Sequence, residues 1–395
     1  MTTDQLPSRP TPWHAGERAM QTRVGVGERM ARVGGRAIRD FMPDQHRDFF
    51  ARLPFLVVGS VDHAGCVWAS LLAGRPGFAA SPDPRSLTIA ALPVAGDPLA
   101  GALAPGTKLG LLGIELPSRR RNRMNGSVIA LDGAGFTVAV EQSFGNCPQY
   151  IQARDYASVE ATPAGVRVET FTALDEAARA LIARSDTFFV ASASGSDGRH
   201  DVDVSHRGGR PGFVGIDGDG ALVVPDYAGN RFFNTLGNLT ANPRAGLLFV
   251  DFASGDLLQL TGTTTIVWEG PALNAFAGAE RLWRVAPSQG RWLRGALPLR
   301  LELREFSPTL EGTGTWYEAQ AVMAGEDGAD SQHRGQPAVS GLPPGRDSQL
   351  DSLATDGGGT HEARGAGRRC DRRRVADEHG AGAEPRRERG ALQGR

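Results

Sequence analysis

The five residues Gly74-Arg75-Pro76-Gly77-Phe78 recur unchanged as Gly209-Arg210-Pro211-Gly212-Phe213, 135 positions further along a chain of 395 residues. One repeated pentapeptide carries little weight, but its surroundings repeat with it. Apolar runs at 55–60 and 67–72, separated by Asp62-His63-Ala64-Gly65, precede the first copy. Runs at 188–192 and 200–205, separated by Ser196-Asp197-Gly198, precede the second. β-formers on either side of a Gly-containing turn predict a hairpin in both places. A short strand then follows each copy, at 86–92 and 221–224. Next come a Gly-led helix start, Gly96-Asp97-Pro98-Leu99 or Gly229-Asn230-Arg231-Phe232, and a buried strand at 110–114 or 246–250. Longer alternating strands, around 126–141 and 256–268, close each unit. The period is too long for a solenoid. Two copies of a module with roughly six short strands and one inserted helix favour small barrels over a doubly wound sheet. The fold class is therefore mainly β with helices (α+β).

This division predicts a helical segment over 1–44, with apolar residues at helical spacing from Glu17 to Phe41 and a restart at Pro43-Asp44, where Asp44 suits the N-cap. The first repeat occupies 45–160 and the second 161–323, joined by a linker near 160–175. A helix over 272–283 and a strand over 297–306 end the second repeat. After Tyr317 there is no aromatic residue and no isoleucine. Residues 324–395 hold too few apolar groups to offset ordering entropy and read as a disordered tail. The abrupt change of composition there is what a shifted reading frame would produce. Its arginine runs lack interleaved aromatic rings for base stacking, so a solvated tail is favoured over a nucleic-acid arm.

Basic and acidic residues nearly cancel, 43 against 44, so no global field recruits nucleic acid or a membrane surface. Lys108 is the single lysine, which leaves arginine to hold any anion. Cys66, Cys147 and Cys370 are too dispersed for a metal or iron–sulfur site or a disulfide framework. No run is long and apolar enough for a membrane span, and the N-terminus has no hydrophobic signal core, which points to a cytoplasmic protein.

The strongest constellation lies in the second repeat. Ser205-His206-Arg207-Gly208-Gly209 falls on a strand, and Pro225-Asp226-Tyr227-Ala228-Gly229-Asn230-Arg231-Phe232 is predicted to enter a helix. Asn230 suits an N-cap, and Arg231 in a first turn opposes the helix dipole unless an anion sits there. Arg207 and Ser205 complete a phosphate cradle; a surface arginine beside an ordinary cap is an equal alternative. In the first repeat Asp97 and Pro98 stand where Asn230 and Arg231 do, and that position repels a phosphate. The first repeat instead carries Arg119-Arg120-Arg121-Asn122-Arg123-Met124-Asn125-Gly126, read either as a solvated basic loop or as arginines reaching an anion across a pseudo-twofold axis. Pro148 suits the start of a helix capped by Asn146 or Cys147. Cys147 has no histidine near it in sequence, which favours lining a pocket over nucleophilic attack. The histidines and carboxylates form no metal-ligand pattern, and no Walker loop or nucleophile elbow is present.

Together these segments, with Asn242-Pro243-Arg244-Ala245-Gly246-Leu247-Leu248-Phe249, resemble the FMN-binding split barrels related to pyridoxamine 5'-phosphate oxidase, over roughly 10–320. The resemblance implies two tandem split β-barrels forming an intramolecular pseudo-dimer around FMN, and an FMN-dependent oxidoreductase or electron-transfer module of unknown substrate. It implicates Arg207, Gly229, Asn230 and Arg231 at the phosphate and Ser205 and His206 at the flavin ring, with Arg121, Arg123, Asn125 and Asn146 contributed by the first repeat. No match to the pyridoxal-phosphate-binding residues of true pyridoxamine phosphate oxidases is found. NAD(P)H or a reductase as electron source, and a homodimer as assembly, stay open. So do two alternatives: a non-catalytic flavin carrier served by a separate reductase, and deazaflavin F420 or haem on the same fold.

Overall fold

The computed structural model describes residues 11–159, 165–195 and 201–326. The turn expected at Ser196-Asp197-Gly198, His200, Cys370 and nearly all of the expected tail lie outside them.

Helices α1 (Ala15–Arg23), α2 (Gly27–Ala37) and α3 (Asp44–Ala51) lead into the first sheet. Gly25, at φ 75°, separates α1 from α2, because that left-handed conformation suits glycine. Asp44 is the first helical residue of α3, and Pro43 stands at the cap. The expectation of an Asp44 cap is corrected; its carboxylate favours the helix N-terminus from within the first turn.

The first sheet comprises β1 (Phe55–Val61), β2 (Val67–Ala73), β3 (Ala79–Ala80), β4 (Ser86–Ile89), β5 (Lys108–Glu115), β6 (Arg120–Leu131) and β7 (Phe136–Asn146), with α4 (Pro98–Ala102) inserted before β5. Its order is β2-β1-β5-β6-β7-β4-β3. The connection carries β8 (Ala153–Ser158), β9 (Arg167–Phe171) and α5 (Glu176–Arg184). The second sheet follows with β10 (Thr187–Ala193), β11 (Val202–Gly208), β12 (Gly215–Ile216), β13 (Leu222–Tyr227), α6 (Asn234–Ala241), β14 (Arg244–Val250), β15 (Leu257–Val267), α7 (Pro271–Ala275) and β16 (Ala279–Arg294). Its order is β11-β10-β14-β15-β16-β13-β12, so each strand takes the place of its counterpart in the first sheet. β9 adds to the edge of β16. β17 (Leu299–Glu305) pairs with β8 as a separate ribbon, and α8 (Trp316–Glu326) ends the described chain.

The helix expected over 272–283 is corrected to the short α7 followed by strand. Gly278 turns the chain at φ 77°, and from Ala279 onward the backbone pairs with β13 and β15. The basic run beginning at Arg120 is likewise strand, not loop, and is registered against β5 and β7.

Each sheet curls around its own apolar core, one built on Phe50, Leu87, Leu111 and Val138, the other on Phe188, Leu247, Phe249 and Trp283. A third core lies between the sheets, where Val57, Leu112 and Ile114 meet Phe189, Val204 and Leu248. Two glycines at corresponding places permit this approach. A Cβ on Gly110 would stand 2.7 Å from the Val202 carbonyl oxygen, and one on Gly246 would stand 2.5 Å from the Trp68 Cα.

Candidate functional site

A cleft of about 850 Å³, including its open mouth, forms where the two sheets meet. The first sheet contributes Arg121 and Arg123 from β6, Asn146 at the end of β7, and Cys147, Gln149 and Tyr150 just after it. The second contributes Ser205, His206 and Arg207 from β11, and Gly229, Asn230 and Arg231 from the loop between β13 and α6. The sequence-predicted residues therefore converge on one cleft, with Asn125 the exception. Asn125 lies on the same strand face as Arg121 and Arg123 but further along β6, where its amide donates to Asp203 (2.7 Å) and Gln142 (3.1 Å) and lines a separate hollow.

The local backbone corrects two helix starts. Arg231 and Phe233 are left-handed (φ 63° and 62°), so α6 begins only at Asn234, and Asn230 accepts a bond from the Phe232 amide at 3.1 Å instead of capping a helix. No helix forms at Pro148, because β7 runs on to Asn146, paired with Arg121, and Tyr150 then turns at φ 63°. Tyr150, Arg231 and Phe233 all face the cleft, and a left-handed non-glycine residue costs about 1–3 kcal/mol. Tyr150 reaches across the cleft, donating to the Ala228 carbonyl at 3.0 Å with its ring 5.1 Å from that of Tyr227.

The charges differ from the cradle expected at Arg207 and Arg231. Arg207 donates to Asp226 at 2.8 Å, and Arg231 makes a two-pronged contact with Glu280. Arg281, buried, bridges both carboxylates at 3.1 and 2.5 Å. An anion is therefore not needed to offset Arg231, whose counter-charge arrives from β16. Sequence reasoning missed Asp226 and Glu280 in this role. Asp226 was visible beside Tyr227, but nothing local signals Glu280, which the register between β13 and β16 brings in.

Arg123 is buried; it donates to Asn234 Oδ1 at 2.9 Å, contacts Ser205 Oγ, and lies 3.6 Å from the Asp203 carboxylate. Asn234 in turn donates to Glu17 of α1 at 2.6 Å. Burial, then the Asp203 charge, raises the Glu17 carboxyl to about 8. Arg121 has no carboxylate partner among the described residues. It donates to the Cys147 carbonyl (2.8 Å) and, more weakly, to His206 Nδ1 (3.3 Å) and the His206 carbonyl (3.4 Å). Burial, followed by the Arg121, Arg154 and Arg207 charges, holds the His206 imidazole well below its ordinary value, so it is neutral at pH 7. With Nδ1 accepting from Arg121, the fitting tautomer carries its proton on Nε2. His206 Nε2, Arg123 Nε, Arg207 Nε and Asn146 Oδ1 are buried without a protein partner. Leaving such groups unmet costs about 1–3 kcal/mol each, so this concentration suits a polar ligand.

Residues 174–308 match the family model for pyridoxamine 5'-phosphate oxidase. The match places that segment, about a third of the 395 residues, in the pyridoxamine 5'-phosphate oxidase-related split-barrel family. Among solved structures, HupZ of Group A Streptococcus is 15% identical, covers 29% of this chain and 89% of its own, and has a TM-score of 0.24. A putative 5-nitroimidazole antibiotic resistance protein from Bacteroides thetaiotaomicron is 11% identical over 38% of this chain and 95% of its own, with a TM-score of 0.22. The Bacillus subtilis inhibitor of motility is 8% identical over 71% and 99%, with a TM-score of 0.18. No curated protein sequence matches the chain. Strands β10 to β16 of the second sheet, together with β17 of the separate ribbon, lie inside the matched segment, and β9 lies outside it.

Proposed function

We propose that the cleft holds one FMN and that the protein is an FMN-dependent oxidoreductase or electron-transfer module, its two sheets forming an intramolecular counterpart of a split-barrel dimer. One observation carries this reading: both sheets direct arginine and unpartnered buried polar atoms into a single cleft. Ser205, His206, Arg207, Gly229, Asn230 and Arg231 line it from one side, with Arg121, Arg123 and Asn146 from the other. When bound, a flavin supplies the redox chemistry and the protein supplies position and electrostatics. The neutral His206 offers a fixed Nε2–H donor. Tyr150 spans the cleft to the Ala228 carbonyl, and Arg123 holds Ser205 and Asn234 in place.

The test is the absorbance spectrum of the purified chain, followed by titration with FMN. A flavin spectrum, or saturable uptake, is expected; a colourless protein that takes up no FMN overturns the reading. A carrier served by a separate reductase is favoured by one feature. The cleft carboxylates Asp226 and Glu280 are engaged with arginines, so neither is poised as a general acid or base. Stopped-flow mixing with NADH or NADPH separates the two, since reduction only upon adding a reductase indicates the carrier.

A further inference from the structure

We propose that Arg121, supplied by the first sheet, is the residue that selects a phosphate-bearing ligand, and that Arg207 and Arg231 are chiefly structural. This rests on reading the cleft as a flavin site, and it departs from the assignment the family resemblance suggests.

The cleft arginines differ in whether a carboxylate already faces them. Arg207, Arg231 and Arg281 share Asp226 and Glu280 in a closed network. That network has one positive charge in excess, but the charge is spread over three guanidiniums that each already face a carboxylate. Arg123 is held by Asp203, Asn234 and Ser205. Arg121 differs from all of these. Its contacts are a carbonyl at 2.8 Å and two long contacts to His206, and its Nη2 donates to no group among the described residues. A half-buried guanidinium without a counter-ion is costly, and a dianion is the partner that removes the cost most fully, through charge-assisted bonds. His206, whose ring contacts Arg121, has its Nε2 buried without a protein partner, and Asn146, registered opposite Arg121 on β7, lines the same cleft. The corresponding residue of the second sheet is Leu257: Arg121 pairs with Ile114 as Leu257 pairs with Val250. The guanidinium is therefore a property of one sheet only.

The experiment compares FMN with riboflavin, which lacks the phosphate, by fluorescence titration of the full chain. Wild-type protein is expected to prefer FMN, with inorganic phosphate competing against FMN. Arg121→Ala is expected to bind riboflavin as wild type does but to lose roughly 10- to 100-fold of the FMN preference, the range set by a charged hydrogen bond. Arg207→Ala and Arg231→Ala are expected to keep most of that preference. Arg121→Lys, which retains the charge if the alanine variant fails to fold, is expected to keep part of it. The proposal is overturned if Arg121→Ala or Arg121→Lys preserves the full preference while Arg207→Ala or Arg231→Ala abolishes it. If wild-type protein binds neither flavin, the flavin reading fails instead. Thermal stabilisation by inorganic phosphate then decides the role of Arg121: loss in Arg121→Ala supports it, and no change rejects it.

Discussion

Ser205 and Ser70 occupy corresponding places, Ser205 opposite Val190 in its hairpin and Ser70 opposite Val58 in the other. Each meets a side chain sent across from the opposite sheet. At Ser205 the visitor is Arg123, opposite Leu112; at Ser70 it is Gln259, opposite Leu248. Around Ser205 stand His206, Arg207 and Arg121, whereas the same places around Ser70 hold Leu71, Leu72 and Leu257, all buried. Gln259 donates to Ser70 and Asp97 at 3.2 Å each. Asp97 accepts the Ser70 hydroxyl at 2.5 Å and the Leu99 amide at 2.9 Å. Only Gln259 Oε1 is left without a partner in this second cradle. One framework thus carries an open, under-satisfied polar site on one side and a sealed, mostly satisfied one on the other. The difference lies in which polar atoms remain unpaired, not in strand order.

The largest effect that tests this contrast comes from the two visiting residues. Arg123→Leu leaves the buried Asp203 without its cation and is expected to cost about 3–5 kcal/mol. Gln259→Leu removes neutral donors and is expected to cost about 1–3 kcal/mol. Urea unfolding measures both, and equal losses would break the distinction. The glycines that let the sheets meet, by contrast, belong to a shared framework. Gly110→Ala and Gly246→Ala are each expected to cost about 1–3 kcal/mol, because either Cβ meets backbone of the opposite sheet. A large difference between them would argue against equivalent packing.

The two cradles also titrate differently. Glu17, beneath the open one, is raised to about 8, and Asp97, inside the sealed one, to about 6, in each case chiefly by burial. Both folded-state values lie above the ordinary 4.5 and 3.8, so the folded protein holds these protons longer than the unfolded chain does. Stability is therefore greatest below the unfolded values and falls as pH rises, over about 3.8 to 6 for Asp97 and 4.5 to 8 for Glu17. Glu17→Gln is expected to flatten a slope of about 1 kcal/mol per pH unit between pH 6 and 8. Asp97→Asn should flatten only the part below pH 6. Melting temperature against pH for both variants checks this. The smallest effect is expected from Arg231→Ala, below about 1 kcal/mol, since the pair is partly exposed and Glu280 keeps Arg281. Thermal unfolding of that variant should sit close to wild type.

The strands were legible because apolar alternation and turn glycines are local, and because the repeat let one unit support the other. The convergence of Arg121, Arg123, Asn146, Ser205, His206 and Arg207 was legible through family resemblance. Three features were not. The left-handed turns at Arg231 and Phe233 delay α6, and no propensity marks an arginine or phenylalanine for such a turn. Glu280 neutralises Arg231 only through a strand register set 49 residues downstream. Asn125 shares a face with Arg121, but alternate residues advance about 6.6 Å per pair along a strand, which carries it past the cleft.

Ligand stoichiometry bears most directly on the contrast between the two cradles. Native mass spectrometry of the chain at saturating FMN is predicted to show one flavin per polypeptide. Two per polypeptide would mean that the place sealed by Gln259, Asp97 and Leu257 still binds, contradicting the account.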